Sequence, residues 1–139
     1  MLHRTKKKND LNQDKWVGIG GKFEDKESPE ECNAREVLEE TGLTLKSSRY
    51  CGIVTFVSDK WETEYMHLFH SSDFEGNLCE CDEGELCWVE ISEIYNLPIW
   101  QGDKIFLKLI EQKVPFFSLK LEYKGDTLIK AILNGEEIL

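Results

Sequence analysis

The sequence lacks long hydrophobic runs, since no apolar stretch in its 139 residues approaches the ~20 residues that a membrane span requires. The first ten residues, MLHRTKKKND, also lack the apolar stretch of a signal peptide. We therefore expect a cytoplasmic protein with no membrane partner. Its 40% hydrophobic and 11% aromatic residues favour a globular fold, and the length predicts a single domain over residues 1–139.

Basic residues are scarce, with 17 Lys and Arg against 27 Asp and Glu and a formal net charge of −10. This balance excludes the broad basic surface on which stable nucleic-acid binding depends. It does not exclude a small nucleotide, because bound metal ions reverse the local sign of an acidic site.

No CxxC pair occurs among the five cysteines. Their odd number and the missing signal peptide predict free thiols in a reducing compartment. The spacing of Cys79, Cys81 and Cys87 does not fit a zinc ribbon, so a structural metal at these residues is disfavoured.

Start and stop signals for a helix flank residues 29 to 41. Ser28 and Glu31 form a capping-box pattern, Pro29 suits the first helical position, and Gly42 suits the end. Other segments predict short strands, a helical turn, a second helix and a hairpin. These are residues 1–4, 15–19, 50–57, 64–70 and 86–90 as strands, 91–95 as the turn, a helix beginning near Asp103, and a hairpin over about 116–133 around Lys124-Gly125-Asp126.

Three glutamates share one face of the first helix, because Glu36, Glu39 and Glu40 are spaced at i, i+3 and i+4. Like charges at this spacing destabilise a helix, and Arg35 neutralises them only in part. A solvated acidic face is one explanation. Coordination of a divalent cation by the carboxylates is the other.

The segment from Gly21 to Leu43 decides between these explanations. It reads Gly, five residues, Glu27, seven residues, and then Arg-Glu-Val-x-Glu-Glu-x-Gly-Leu from Arg35. This pattern, nine fixed positions in 23 residues, resembles the Nudix box without a gap. Together with Trp16–Gly20 before it, the segment is similar to the MutT-type, 8-oxo-dGTP diphosphatase branch of the Nudix hydrolases.

The resemblance implies an α/β (α+β) fold with a mixed β-sheet packed between helices. It implies that Glu39 and Glu40 are metal ligands, joined by the backbone carbonyl of Gly20. Glu36 is either a further ligand or the base that orients the attacking water. Arg35 is expected to orient the glutamates and to pair with Glu27 and Glu39.

The implied reaction converts a nucleoside triphosphate to the monophosphate and pyrophosphate with Mg²⁺, for which Mn²⁺ is a candidate substitute. A further metal ligand is expected from the acidic loop at residues 80–85. Glu83 is the first candidate, with Asp82 and Glu85 as alternatives, and a plain solvated loop is the competing interpretation.

The segment Trp100-Gln-Gly-Asp103 resembles the base-reading segment of 8-oxopurine sanitising enzymes, in which a Trp precedes two aspartates. Trp100 would stack on a purine and Asp103 would accept hydrogen bonds from it. Gly102 stands where the first aspartate is expected, and Val17 stands where some sanitisers use asparagine. Equally, Trp100 is a candidate core residue and Asp103 a candidate helix cap.

Arg4 and Lys22 are candidate substrate contacts, and Lys6–Lys8 either steer the phosphates or form a solvated loop. Compared with the family, we expect the chain to lack the usual first strand and to add the C-terminal hairpin, for which we predict a structural role. Hydrolysis of another nucleoside diphosphate derivative, such as ADP-ribose, and nucleotide sensing without turnover are the alternative functions. The sequence does not reveal the oligomeric state.

Overall fold

A computed structural model describes residues 1–4, 14–82 and 84–139. These residues form two compact units, Met1–Ser48 with Ser71–Ile99 and Arg49–His70 with Trp100–Leu139. The fold is mixed α+β, as predicted. Its elements are β1 (Leu2–His3), β2 (Trp16–Val17), α1 (Pro29–Thr41), β3 (Thr44–Ser58), β4 (Glu64–Glu75), β5 (Glu85–Leu86), a 3₁₀ helix (Ile91–Asn96), α2 (Gln101–Glu111), β6 (Phe117–Lys124), β7 (Thr127–Leu133) and β8 (Glu136–Glu137). No helix within the described residues is long and apolar enough to span a bilayer. The expectation of a single domain over the whole chain stays a prediction.

In the first unit, α1 has the predicted bounds because its ends are specified locally. The Ser28 hydroxyl accepts a hydrogen bond from the Glu31 N–H at 3.1 Å, and the Glu31 carboxylate accepts one from the Ser28 N–H at 3.1 Å. Gly42 ends the helix in the left-handed conformation with φ of 80°. That backbone conformation costs glycine little, so the chain turns sharply after Thr41.

A small antiparallel sheet in the same unit has the order β2-β1-β5. Leu2 in the central strand is 1% exposed and pairs with Val17 on one side and Leu86 on the other. The strand predicted over residues 15–19 is present but shorter than expected. The strand predicted over residues 86–90 is wrong except at Leu86, because β5 covers Glu85–Leu86 only.

The larger sheet has the order β4-β3-β6-β7-β8. Strand β3 runs parallel to β6, with pairs from Gly52 and Phe117 to Ser58 and Tyr123. Every second residue of β6 is buried, as expected for a strand with one face on the core. Leu119 and Leu121 of this strand are completely buried.

The predicted C-terminal hairpin is confirmed as β6 and β7. Gly125 in its turn has φ of 60°, and its N–H donates to a carboxylate oxygen of Asp59 at 3.0 Å. Across the hairpin, Tyr123 pairs with Leu128, and a register shift next to Tyr123 interrupts the regular ladder.

Helix α2 corrects one expectation, because Asp103 does not cap it. The helix begins at Gln101, Trp100 occupies the N-cap position, and Trp100 makes no side-chain capping bond. Asp103 lies within the first turn instead. The Gly102 N–H donates to the buried Tyr123 hydroxyl at 2.7 Å, so β6 supplies an acceptor that a local cap would otherwise provide.

Candidate active site

Arg35 is the hub of the acidic cluster on α1. Its Nε and Nη2 donate to the two carboxylate oxygens of Glu27 at 2.6 and 2.9 Å, a bidentate pair. Its Nη1 donates to Glu36 at 2.8 Å and to Glu39 at 3.1 Å. The predicted pairing of Arg35 with Glu27 and Glu39 is thus present, and Glu36 joins it. One guanidinium fixes the orientation of three carboxylates.

The electrostatics follow from this arrangement. Hydrogen bonding to Arg35, helped by the Glu24 N–H, lowers the pKa of Glu27 to about 2. The same contacts with Glu27 and Glu36 raise the pKa of Arg35 above its usual value. Glu27 is therefore ionised and committed to Arg35 at neutral pH.

The loop before α1 is fitted to the glutamates at two consecutive glycines. The Gly20 N–H donates to a carboxylate oxygen of Glu40 at 3.1 Å. At Gly21, an added Cβ would lie 2.4 Å from the carboxyl carbon of Glu36, so a side chain there would displace this carboxylate. The structure therefore brings Gly20 beside Glu40, as the metal-ligand prediction requires, although the ligand role itself stays a prediction.

Lys22 belongs to the same loop. Its backbone carbonyl accepts a hydrogen bond from Arg35 Nη2 at 3.0 Å. This contact gives Lys22 a structural connection to the cluster, whereas contact of its exposed side chain with substrate stays a prediction.

An open cavity of about 240 Å³ lies against the acidic face of α1. Carboxylates and one thiol line it, from Glu36, Glu39, Glu40, Glu80, Cys81 and Asp82. The acidic loop at residues 80–82 is held beside α1 by a hydrogen bond just before it, in which the Cys79 N–H donates to the carbonyl of Thr41 at the end of the helix at 2.8 Å.

The sequence-based ranking of metal-ligand candidates in the acidic loop agrees only in part with the structure. Glu83, the first candidate, lies outside the described residues, so its metal role stays a prediction. Asp82, an alternative, lines the cavity, whereas Glu85 lies in β5 and pairs with His3. Glu80 also lines the cavity and was not selected from the sequence, where only its place in an acidic run could have indicated it.

The candidate base-reading segment lies in the second unit. Trp100 is 5% exposed and packs edge-on against Phe56 and Tyr123, with ring centroids 5.5 and 4.9 Å apart. The core interpretation of Trp100 is therefore met, and stacking on a purine stays a prediction. Burial raises the pKa of Asp103 to about 7.

Gly102 replaces the first expected acid for a steric reason. A Cβ at this position would lie 2.4 Å from a methyl group of Leu121 and 2.6 Å from the Tyr123 hydroxyl. Because both neighbours are buried on β6, the position has no room for an aspartate side chain.

Of the remaining candidates, Val17 lies in β2 and Arg4 directly follows β1. Val17 pairs with Leu2. The Arg4 N–H donates to the Lys15 carbonyl at 3.0 Å, and its carbonyl accepts from the Asp14 N–H at 2.7 Å. The contact of Arg4 with phosphate stays a prediction, and Lys6–Lys8 lie outside the described residues.

Comparison with known proteins decides the family. Residues 1–110 match the NUDIX domain, which covers most of the chain and includes the whole acidic helix. The chain is a Nudix hydrolase.

The chain is also similar to several named proteins. The Nudix hydrolase is 34% identical over 136 residues to the oxidized purine nucleoside triphosphate hydrolase of Danio rerio, covering 96% of this chain and 86% of the relative. It is 29% identical over 111 residues to the enzyme of the same name from Mus musculus, covering 79% and 71%. The crystal structure of the MutT protein from Bacillus halodurans superposes with a TM-score of 0.80 at 31% identity, covering 87% and 83%.

Nudix hydrolases use divalent metal ions, and the donor chemistry of the cavity fits such an ion. Carboxylate oxygens dominate the lining, and hard divalent cations prefer oxygen ligands. Within the described ranges, no three His, Cys, Asp or Glu groups already stand together as a ready-made coordination set. Arg35 donates to one oxygen of Glu36 and to one oxygen of Glu39, and each of these carboxylates has a second oxygen with which it could coordinate an ion.

Proposed function

We propose that this Nudix hydrolase is a Mg²⁺-dependent pyrophosphohydrolase of purine nucleoside triphosphates, with 8-oxo-dGTP as the candidate substrate. Its products would be the nucleoside monophosphate and pyrophosphate. Two relatives named as oxidized purine nucleoside triphosphate hydrolases support this substrate class.

One observation carries the proposal: the glycines of the loop before α1 lie against the carboxyl groups of Glu36 and Glu40 on the helix. Gly20 donates to Glu40, and Gly21 leaves space for the Glu36 carboxyl group. A merely solvated acidic helix would not require a loop shaped to two of its side chains. These contacts therefore favour the interpretation that the carboxylates are positioned to bind a ligand.

In this proposal Glu39, Glu40 and the Gly20 carbonyl hold the metal ion, with Asp82 and Glu80, which line the same cavity, as additional oxygen donors. Bound Mg²⁺ would neutralise phosphate charge and lower the pKa of a coordinated water. Glu36 is either a further ligand or the base that receives a proton from the attacking water. Because Arg35 holds the bidentate pair with Glu27, it limits the directions in which its other carboxylate partners can move.

The test is hydrolysis of a nucleotide panel, with the substrate consumed and the products formed separated by chromatography, measured with Mg²⁺, with Mn²⁺ and with chelator. The panel contains 8-oxo-dGTP, dGTP, ATP, ADP-ribose and a dinucleoside polyphosphate. We expect metal-dependent turnover that is fastest with 8-oxo-dGTP. A strong preference for ADP-ribose or the dinucleoside polyphosphate would contradict the substrate class, and binding without any turnover would favour the sensing alternative.

The proposal places the enzyme in the cytoplasm, where its nucleotide substrates and reducing conditions for free thiols coexist. All five cysteines are free in the structure. It also assigns a small-molecule partner rather than a nucleic acid, in keeping with the net charge of −10.

A further inference from the structure

The first turn of α2 is attached to the C-terminal hairpin at two points. The Gly102 N–H donates to the Tyr123 hydroxyl of β6 at 2.7 Å. The side-chain oxygen of Gln101 accepts from the Leu128 N–H of β7 at 3.3 Å. These bonds involve the two residues immediately before Asp103, so the hairpin fixes the backbone from which the Asp103 carboxyl group projects.

The bond from Gly102 is the functional equivalent of a helix cap. The first N–H groups of a helix have no acceptor within the helix, and Trp100 at the N-cap position provides none with its side chain. Tyr123 is 3% exposed, so water cannot readily replace its hydroxyl. Loss of the hydroxyl would leave a buried donor without an acceptor and would release the turn.

Tyr123 also determines which residue can stand next to Asp103. Its hydroxyl and Leu121 occupy the space that a side chain at position 102 would need. The second acid is thus the only carboxyl group that the Trp100–Asp103 segment offers, and its position depends on a residue outside the NUDIX match over residues 1–110.

We propose that Tyr123 is a positioning residue for base recognition, acting through Gly102 on the orientation of Asp103. This inference rests on the proposed function, because it takes Asp103 as a contact of the purine base. It also changes the expected role of the hairpin, which then contributes to substrate selection as well as to structure.

The experiment compares wild type with Tyr123→Phe, which removes only the hydroxyl and keeps the ring in the core. For each protein, kcat and KM are measured for 8-oxo-dGTP and dGTP, and Tm is measured in parallel. Tyr65→Phe is the matched control, because it removes a hydroxyl from a 67% exposed tyrosine in the same unit. We expect the ratio of the two kcat/KM values to change roughly three- to tenfold in Tyr123→Phe, chiefly through KM, and to stay unchanged in the control.

A purely structural role gives a different result. Tyr123→Phe would then lower Tm and the fraction of active enzyme, and kcat/KM would fall by the same factor for both nucleotides. The selectivity ratio would stay unchanged, and the inference would be overturned. A double-mutant cycle with Asp103→Asn adds a second criterion, since Tyr123→Phe should not alter the ratio further once Asp103 is replaced. Additive effects would overturn the route through Asp103. If the wild-type enzyme hydrolyses no purine triphosphate, the proposed function and this inference are both overturned. If it hydrolyses 8-oxo-dGTP but Tyr123→Phe leaves the selectivity ratio unchanged, only this inference is overturned.

Discussion

Replacing Gly21 by alanine tests whether the position of the Glu36 carboxyl group, rather than its presence, is required. The new Cβ would lie 2.4 Å from the Glu36 carboxyl carbon and 2.5 and 2.6 Å from its oxygens. Ordinary contacts between carbon atoms are about 3.5–4.0 Å, so the carboxyl group has to move by roughly 1 Å or more. This movement would break or lengthen its 2.8 Å bond to Arg35.

The cost in stability should be moderate. The displaced atoms are the end of a flexible side chain, and Gly21 does not adopt a left-handed conformation. Alanine restricts the unfolded chain, which stabilises the protein by about 0.4–1 kcal/mol, and loss of the charge-assisted hydrogen bond costs about 1.5–3 kcal/mol. We expect the free energy of unfolding to fall by about 0.5–2.6 kcal/mol.

The expected effect on function is larger. A displacement of about 1 Å at a catalytic group can reduce the rate by ~10²-fold, and apparent Mg²⁺ affinity should fall with it. Pyrophosphate release across a Mg²⁺ titration measures both, and urea unfolding without metal measures stability. Gly18→Ala is the control, because an added Cβ there meets no atom within 4 Å. Wild-type turnover and Mg²⁺ dependence in Gly21→Ala would refute the assigned position of Glu36.

Three further predictions concern charge. Glu40→Gln should abolish most turnover and the Mg²⁺-induced rise in Tm. It should leave the metal-free fold intact or make it about 0.2–0.5 kcal/mol more stable, because like-charge repulsion is relieved. Glu30→Gln on the exposed first turn is the control and should retain activity, so equal activity of the two variants would contradict the metal role of Glu40. Because the folded pKa of Glu27 is lowered from 4.5 to about 2, its contribution to stability is present above pH 4.5 and is lost as pH falls toward 2, so the stability difference between wild type and Glu27→Gln, measured by urea unfolding, should shrink over this range. A constant difference would show that Arg35 does not favour ionised Glu27. The folded pKa of Asp103 is instead raised from 3.8 to about 7, so its contribution is present below pH 3.8 and is lost as pH rises toward 7. The free energy of unfolding of Asp103→Asn minus that of wild type should therefore be roughly 2–4 kcal/mol larger at pH 8 than at pH 3.5. The same difference at both pH values would exclude the raised pKa.

The parts of the site that the sequence predicts correctly depend on local spacing. The caps at Ser28 and Gly42 lie within a few residues of the helix that they bound, so its limits can be inferred directly. The i, i+4 spacing likewise predicts that Arg35 can reach Glu39, and the observed bond is 3.1 Å. These contacts are set by helix geometry and need no knowledge of the tertiary fold.

The parts that the sequence does not predict depend on distant segments. Glu80 reaches the cavity because its loop is tied to Thr41 through the Cys79 N–H, a contact between residues 38 positions apart. No periodic pattern marks such a bond. The same holds for α2, since the acceptor for its Gly102 N–H comes from Tyr123, 21 positions later. A search for local caps therefore selects Asp103 and places the start of the helix incorrectly.

The geometry of Arg35 separates the carboxylates into two groups. A guanidinium offers five N–H donors in a rigid plane, and Glu27 takes one from Nε and one from Nη2 in a bidentate pair. Glu36 and Glu39 both accept from Nη1 and each has one bond to Arg35. Release of either therefore costs fewer charge-assisted bonds than release of Glu27. Arg35 can therefore keep its orientation through Glu27 even when one of the two single bonds is lost, which a lysine with a single donor atom could not do.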